Sequence, residues 1–174
     1  MPRAIGMLVW TLGAVAMHAV VPFELSRLGD RVARKERTNP VVRGIGLSTV
    51  GAGATVMLWA LAAHHDAAPR GWLLQSRPTP KQLLRRAPYR MEYLLRTGPY
   101  RLSRNPMYVG EAAVWLGWGL FYSCLPVWIG WAIMCAALAR VVRWEERRLV
   151  KPFGDDYRAY MEAVPRWVGY RRRG

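Results

Sequence analysis

Two stretches of twenty residues, Ala4 to Phe23 and Gly44 to Ala63, carry no Asp, Glu, Lys or Arg. At about 1.5 Å of rise per residue, each makes a helix long enough to cross a hydrocarbon core of about 30 Å. A third uncharged window, Ala112 to Ala139, runs for 28 residues, more than one ordinary span uses and barely enough for two. The 26 Lys and Arg, set against 11 Asp and Glu, crowd into the segments between these windows. A soluble nucleic-acid binder spreads its basic residues along amphipathic elements, so this segregation points to a lipid bilayer and away from nucleic acid. A signal peptide is the other reading of the first window. That window has one early Arg, a long apolar run and no small-residue cleavage pattern before the next charges, so it reads as a membrane helix.

Charge balance decides how the third window is used. As a single helix it would leave the basic tail and the basic central loop on opposite sides. As a tight hairpin turning near Ser123-Cys124-Leu125-Pro126, it gives about four spans and returns both ends to one side. Twenty basic residues then face the cytoplasm and six, in the 24–43 loop, face away, as the positive-inside rule prefers. The six on the far side fit an interfacial amphipathic segment. The expected fold is therefore an all-α integral membrane protein, with hairpin arms over about Met107 to Tyr122 and Leu125 to Arg140. Residues 1–63 form a two-helix membrane region, 64–106 a cytoplasmic loop, and 107–174 the hairpin with a C-terminal segment. Nine Trp and eight Tyr suit rings at the lipid interface. Cys124 and Cys135 read as buried apolar residues, and His64-His65-Asp66 as a helix end, so no metal site is expected.

The segment before the hairpin reads Leu94-Leu95-Arg96-Thr97-Gly98-Pro99-Tyr100-Arg101-Leu102-Ser103-Arg104-Asn105-Pro106-Met107-Tyr108-Val109-Gly110-Glu111. Gly98-Pro99 forces a bend, and Pro106 suits a first helical turn, where its missing N–H would be unpaired anyway. Free N–H groups there, with Arg101 and Arg104, can hold a carboxylate or phosphate, or the arginines can anchor to lipid headgroups. Glu111 lies one turn inside the membrane boundary, where an ionisable group is a functional hypothesis by default; pairing with Arg101 or Arg104 is the alternative. After the hairpin, Glu145-Glu146 need a cation, and Arg140 and Arg143 are near enough in sequence to supply one at the surface.

Gly98-Pro99-Tyr100-Arg101, Arg104-Asn105-Pro106-Met107-Tyr108-Val109-Gly110, a hydrophobic hairpin, Glu145-Glu146, Phe153-Gly154, Tyr157, Tyr160 and Val164-Pro165-Arg166, in that order, resemble the isoprenylcysteine carboxyl methyltransferases and phospholipid N-methyltransferases. The resemblance covers about residues 92–167. It implies methyl transfer from S-adenosylmethionine to a lipid-like acceptor, in a pocket made by the pre-hairpin loop, the hairpin ends and a C-terminal segment folded back over them. Carried across, Leu94, Leu95, Tyr100, Arg101, Arg104, Asn105, Pro106, Met107, Tyr108, Glu145 and Glu146 line the cofactor site. The prenylcysteine branch has Arg-His-Pro where this chain has Arg104-Asn105-Pro106, and an Asn amide cannot titrate near neutrality. A carboxylate acceptor would need a cation, Arg140 or Arg143; an amine acceptor would need a base, Glu111.

Two other readings compete. Tyr108-Val109-Gly110-Glu111 followed by Trp115 and Gly117 is similar to a segment of the steroid 5-alpha-reductase family, which implies an NADPH-dependent lipid reductase. A non-enzymatic basic scaffold that gathers anionic lipids explains the charge but not the ordered loop motifs.

Overall fold

The structure, a computed structural model, describes residues 13, 16–32, 39–67 and 94–169. Among them helix is the rule and no strand occurs. A π-helical turn, Ala16–Val20, runs straight into helix α1, Val21–Val32; α2 is Pro40–Ala67. A 3-10 turn, Gly98–Arg101, precedes α3, Pro106–Tyr122, and α4 is Leu125–Ala163. Two stretches, Pro40–His64 and Leu125–Ala163, are long and apolar enough to cross a membrane. The 17 residues of α3 reach about 25 Å.

Local chemistry sets the helix ends. Asn39 caps α2, its side-chain oxygen accepting the Val41 N–H at 2.8 Å, and Pro40 opens the helix. Pro106 opens α3 in the same way. The hairpin turns at Ser123 and Cys124, as expected, and its first arm starts one residue earlier than Met107. Ser123 adopts a left-handed conformation (φ 46°), and its N–H donates to the Gly119 carbonyl at 2.9 Å, which closes α3.

Helices α2 and α3 run antiparallel with their backbones touching. A Cβ placed on Gly46 would stand 2.7 Å from the Gly117 carbonyl oxygen, and one on Gly110 would stand 2.6 Å from that of Gly53. Seven residues separate the glycines within each helix, so both contacts lie along one seam. Small residues allow this approach, and close approach supplies the dispersion that holds helices together where lipid cancels the hydrophobic drive. Helix α1 uses the same device against α4: Pro22, Ser26 and Gly29 are buried on one face, with Gly29 against Cys124 and Pro126.

Two expected boundaries move. The stretch 24–43, expected to be a loop, is helical through Val32 and again from Pro40, because Glu24, Arg27, Asp30 and Arg31 all sit on the exposed face of α1. A charge-free window marks the apolar slab and not the helix end. The second hairpin arm passes Arg140 without a break, and α4 extends for 39 residues, about 58 Å. Its apolar part ends near Ala139 and the charged remainder projects beyond. Pro152 interrupts the hydrogen-bond ladder, and Gly154 takes a left-handed conformation (φ 50°), so the last turns of α4 are redirected. Residues 4–12 of the first expected span and 68–93 of the expected loop lie outside the described residues.

The glycine seam makes an expectation about stability. Gly53→Ala forces a methyl group into the Gly110 carbonyl and is expected to destabilise by about 1–3 kcal/mol. Gly51→Ala has open space at its Cβ and is expected to stabilise by about 0.5–1 kcal/mol through helix propensity. Thermal unfolding in detergent separates the two.

Candidate active site

Residues 94–105 form a strap across one end of the helices. Leu95 and Tyr100 are buried against Ala60, with Ala63 and Met107 alongside, so the strap closes over the end of α2 and the start of α3. Leu94 packs instead on Tyr157, Tyr160 and Val164, the residues that the Gly154 kink turns back. The Tyr160 hydroxyl donates to the Tyr100 carbonyl at 2.7 Å. Gly98, at φ 57°, makes the bend that Gly98-Pro99 predicts. A cleft of about 300 Å³ opens beside it, lined by Trp59, Ala62, Ala63, Asp66, Thr97 and Gly98.

The C-terminal segment latches onto the strap through its backbone. The Arg104 N–H donates to the Pro165 carbonyl at 2.9 Å. The Arg166 carbonyl accepts from Asn105 Nδ2 at 3.0 Å and from Ser103 Oγ at 3.2 Å. Ser103, itself buried, also accepts the Asn105 N–H, which fixes the approach to Pro106.

Beneath the latch lies a buried charge cluster. Glu146 is 4% exposed. Arg166 reaches its Oε2 with Nη2 at 2.7 Å and Nε at 2.9 Å, and Arg104 Nη2 lies 3.4 Å from Oε1. Hydrogen bonding to Glu146 holds the Arg166 guanidinium more firmly protonated than usual. Tyr157 is buried beside the cluster, and burial, reinforced by the Glu146 charge, pushes its phenol far above the ordinary range. Burial likewise pushes Tyr160 up to about 12, against the pull of Arg104 and Arg96. Both hydroxyls therefore stay protonated as donors at neutral pH. Arg104 Nε is buried without a hydrogen-bond partner among the described residues.

Glu145, the neighbour of Glu146, faces α3, where the Tyr108 hydroxyl donates to its Oε1 at 3.0 Å. Burial raises its pKa above the usual carboxylate range, while the Tyr108 hydrogen bond and Arg148 pull the other way.

The fold thus brings Leu94, Leu95, Tyr100, Arg104, Asn105, Pro106, Met107, Tyr108, Glu145 and Glu146 to one end of the bundle. Arg101, Arg140 and Arg143 are exposed. Glu111 faces the π-helical turn, with Oε1 3.6 Å from His18 Nε2, and not Arg101 or Arg104. Arg140 and Arg143, the cations expected for the glutamate pair, are not the partners of Glu146; the fold supplies Arg104 and Arg166. Ser103 and Arg166 carry no local signal as site residues because their partners are 63 and 20 positions away. The one available signal was Arg166 itself, a cation at the end of a recognisable Val-Pro-Arg tail.

The family model of the phospholipid methyltransferases matches residues 44–156, nearly two thirds of the chain. The chain belongs to the phospholipid methyltransferase family. The match begins inside α2 and ends just past the Gly154 kink, so it takes in the glycine seam, the strap, the hairpin and both glutamates. No curated protein and no solved structure matches the chain. A lipid methyltransferase kind of function, in a membrane protein, goes with this family and these apolar helices.

Removing either side of the charge cluster leaves the other buried. Glu146→Gln is expected to destabilise by about 3–5 kcal/mol, read from thermal unfolding in detergent. Glu145 behaves oppositely. Its raised folded-state pKa means that the folded protein binds the proton more tightly than the unfolded chain does. The resulting stability is complete below the ordinary value of 4.5 and is lost as pH rises through the folded-state value. Glu145→Gln should flatten the fall in melting temperature across that window while leaving Glu146 paired.

Proposed function

We propose that this protein is a multi-pass membrane enzyme that transfers the methyl group of S-adenosylmethionine to the amine of a lipid headgroup. The convergence of the strap, the start of α3 and Glu145-Glu146 at one end of the bundle, inside the matched segment of a phospholipid methyltransferase, carries the reading. Helices α1 to α4 alternate in direction, and the positive-inside rule assigns the strap end to the cytoplasm.

The residues at this end suit the cofactor. It brings an ammonium, a carboxylate and an adenosine to whatever holds it. Arg104 Nε, a buried donor without a partner among the described residues, is the group for the carboxylate. Glu145, braced by Tyr108, is the group for the ammonium. Glu146 acts from behind by holding Arg104 in place. Leu94, Leu95, Tyr100, Pro106 and Met107 provide apolar wall, Asn105 fixes the latch, and Arg101 lies exposed at the rim. The cofactor supplies a methyl group already activated by its sulfonium, so the protein's part is to align acceptor and donor and to exclude water.

The amine acceptor rests on the charges that face inward. A carboxylate acceptor needs a cation beside it, but Arg140 and Arg143 are exposed on α4. With Glu145 given to the cofactor, the carboxylate left facing inward at that level is Glu111, which suits a cationic headgroup and serves as its proton acceptor.

Calorimetric titration of detergent-purified protein tests the reading. S-adenosylhomocysteine is expected to bind saturably, NADPH not to bind, and Glu145→Ala to weaken binding about ten- to a hundredfold, as loss of a charge-assisted hydrogen bond does. Binding of NADPH alone would move the protein to the reductases. Transfer to a prenylated cysteine but not to phosphatidylethanolamine would overturn the amine acceptor.

A further inference from the structure

The family match begins at residue 44, and the π-helical turn Ala16–Val20 lies outside it. Such turns are uncommon and concentrate at functional sites, where the extra residue re-aims a side chain. This one carries His18. Its Nε2 stands 3.6 Å from Glu111 Oε1, with the two side chains 21% and 17% exposed. Its carbonyl accepts the Trp118 indole N–H at 2.6 Å, which ties the turn to α3, where the imidazole stands beside Glu111.

Glu111 is the single charged side chain in the 17 residues of α3. Tyr108 precedes it by three positions, on the same side of the helix, and donates to Glu145. Glu145, Tyr108, Glu111 and His18 therefore make a line of polar groups from the strap end into the apolar bundle. Cys135 of α4 packs in the same cluster as Tyr108 and Ala112. Helix α2 meets this part of α3 with Gly53 and Met57, which do not titrate. A His–carboxylate pair at this depth has one chemical use that simple helix packing does not need: moving a proton.

We propose that His18 is a positioning residue of the active centre, orienting Glu111 as proton acceptor and taking the proton onward. The inference rests on the amine acceptor proposed above. The headgroup ammonium gives one proton to the Glu111 carboxylate. The freed nitrogen lone pair then bonds to the methyl carbon as the carbon–sulfur bond breaks, and that bonding pair stays on sulfur. The proton passes from Glu111 to His18 Nε2, which returns the carboxylate to its starting state. The first helix thus completes a site that the matched segment alone leaves without its proton relay.

The test uses full-length protein, radiolabelled S-adenosylmethionine and phosphatidylethanolamine vesicles. His18→Gln keeps size and hydrogen bonding but cannot carry the proton. It is expected to lower kcat by about tenfold or more, leave the KM for the methyl donor within about twofold, and move the acid limb of the kcat–pH profile. Glu111→Gln is expected to cost about a hundredfold, with the double variant no worse than Glu111→Gln. The Glu111 carboxylate stretch, assigned by infrared difference against Glu111→Gln, should change frequency in His18→Gln as its neighbour changes, a readout independent of turnover. Trp118→Phe removes the tie between the π-helical turn and α3 and is expected to lower melting temperature without moving the pH profile. A wild-type profile and kcat in folded His18→Gln would overturn the inference while leaving the methyltransferase reading intact, and so would an equal shift in Trp118→Phe. Failure of the wild type to bind S-adenosylhomocysteine would sink both.

Discussion

Where α2 and α3 meet, main chain touches main chain, and four glycines make that possible. Gly46 faces Gly117 and Gly53 faces Gly110, and Val50, Met57 and Val114 pack their side chains onto the same glycines. The seam fixes the register of the two helices and so decides which residues share the far end. There the last turns of α2 present Ala60 and Ala63 to Leu95 and Tyr100, and α3 begins at Pro106. The strap packs on both helices at once, with Leu95 and Tyr100 against Ala60, Ala63 and Met107. A thicker seam would lift Pro106 away from α2 and carry Tyr108 away from Glu145. Packing deep in the apolar layer and geometry at its edge are therefore one problem.

The buried charges at that edge are a second constraint. Glu146 is enclosed by guanidiniums from two chain segments that are distant in sequence, and neither could leave without stranding the carboxylate. Such a cluster adds little net stability over a well-packed apolar one, but it specifies which segments meet. It selects the arrangement in which the strap, α4 and the C-terminal latch lie together.

Much of this was legible in the sequence wherever the signal was local. The hairpin turn at Ser123 and Cys124 follows from a window too long for one span, and the α3 start follows from Pro106. The strap's bend follows from Gly98-Pro99. Signals that depend on a helix face or a distant partner were not legible. The end of α1 was hidden because its charges alternate with a buried stripe of Pro22, Ser26 and Gly29, which a window of composition averages away. The continuation of α4 past Arg140 is not legible because a run of charge marks the end of the apolar layer and not the end of a helix. Pairing of Glu146 with Arg104 and Arg166 leaves no trace at helical spacing, and the local arginines drew attention instead. His18 offered no local signal, being one polar residue in an apolar run whose meaning depends on Glu111 arriving opposite it.

The latch has a consequence for how such a chain can diverge. Arg104, Asn105 and Ser103 grip the carbonyls of Pro165 and Arg166, atoms that every amino acid carries. Substitutions at Pro165 can therefore accumulate so long as the path of the chain survives, whereas Val164, buried with Tyr157 and Tyr160, Trp167, packed against the Trp115 cluster, and the guanidinium facing Glu146 are held by their side chains. The backbone half of the latch is in this sense written in shape and not in letters, and a descendant could keep it after its wording at Pro165 had changed.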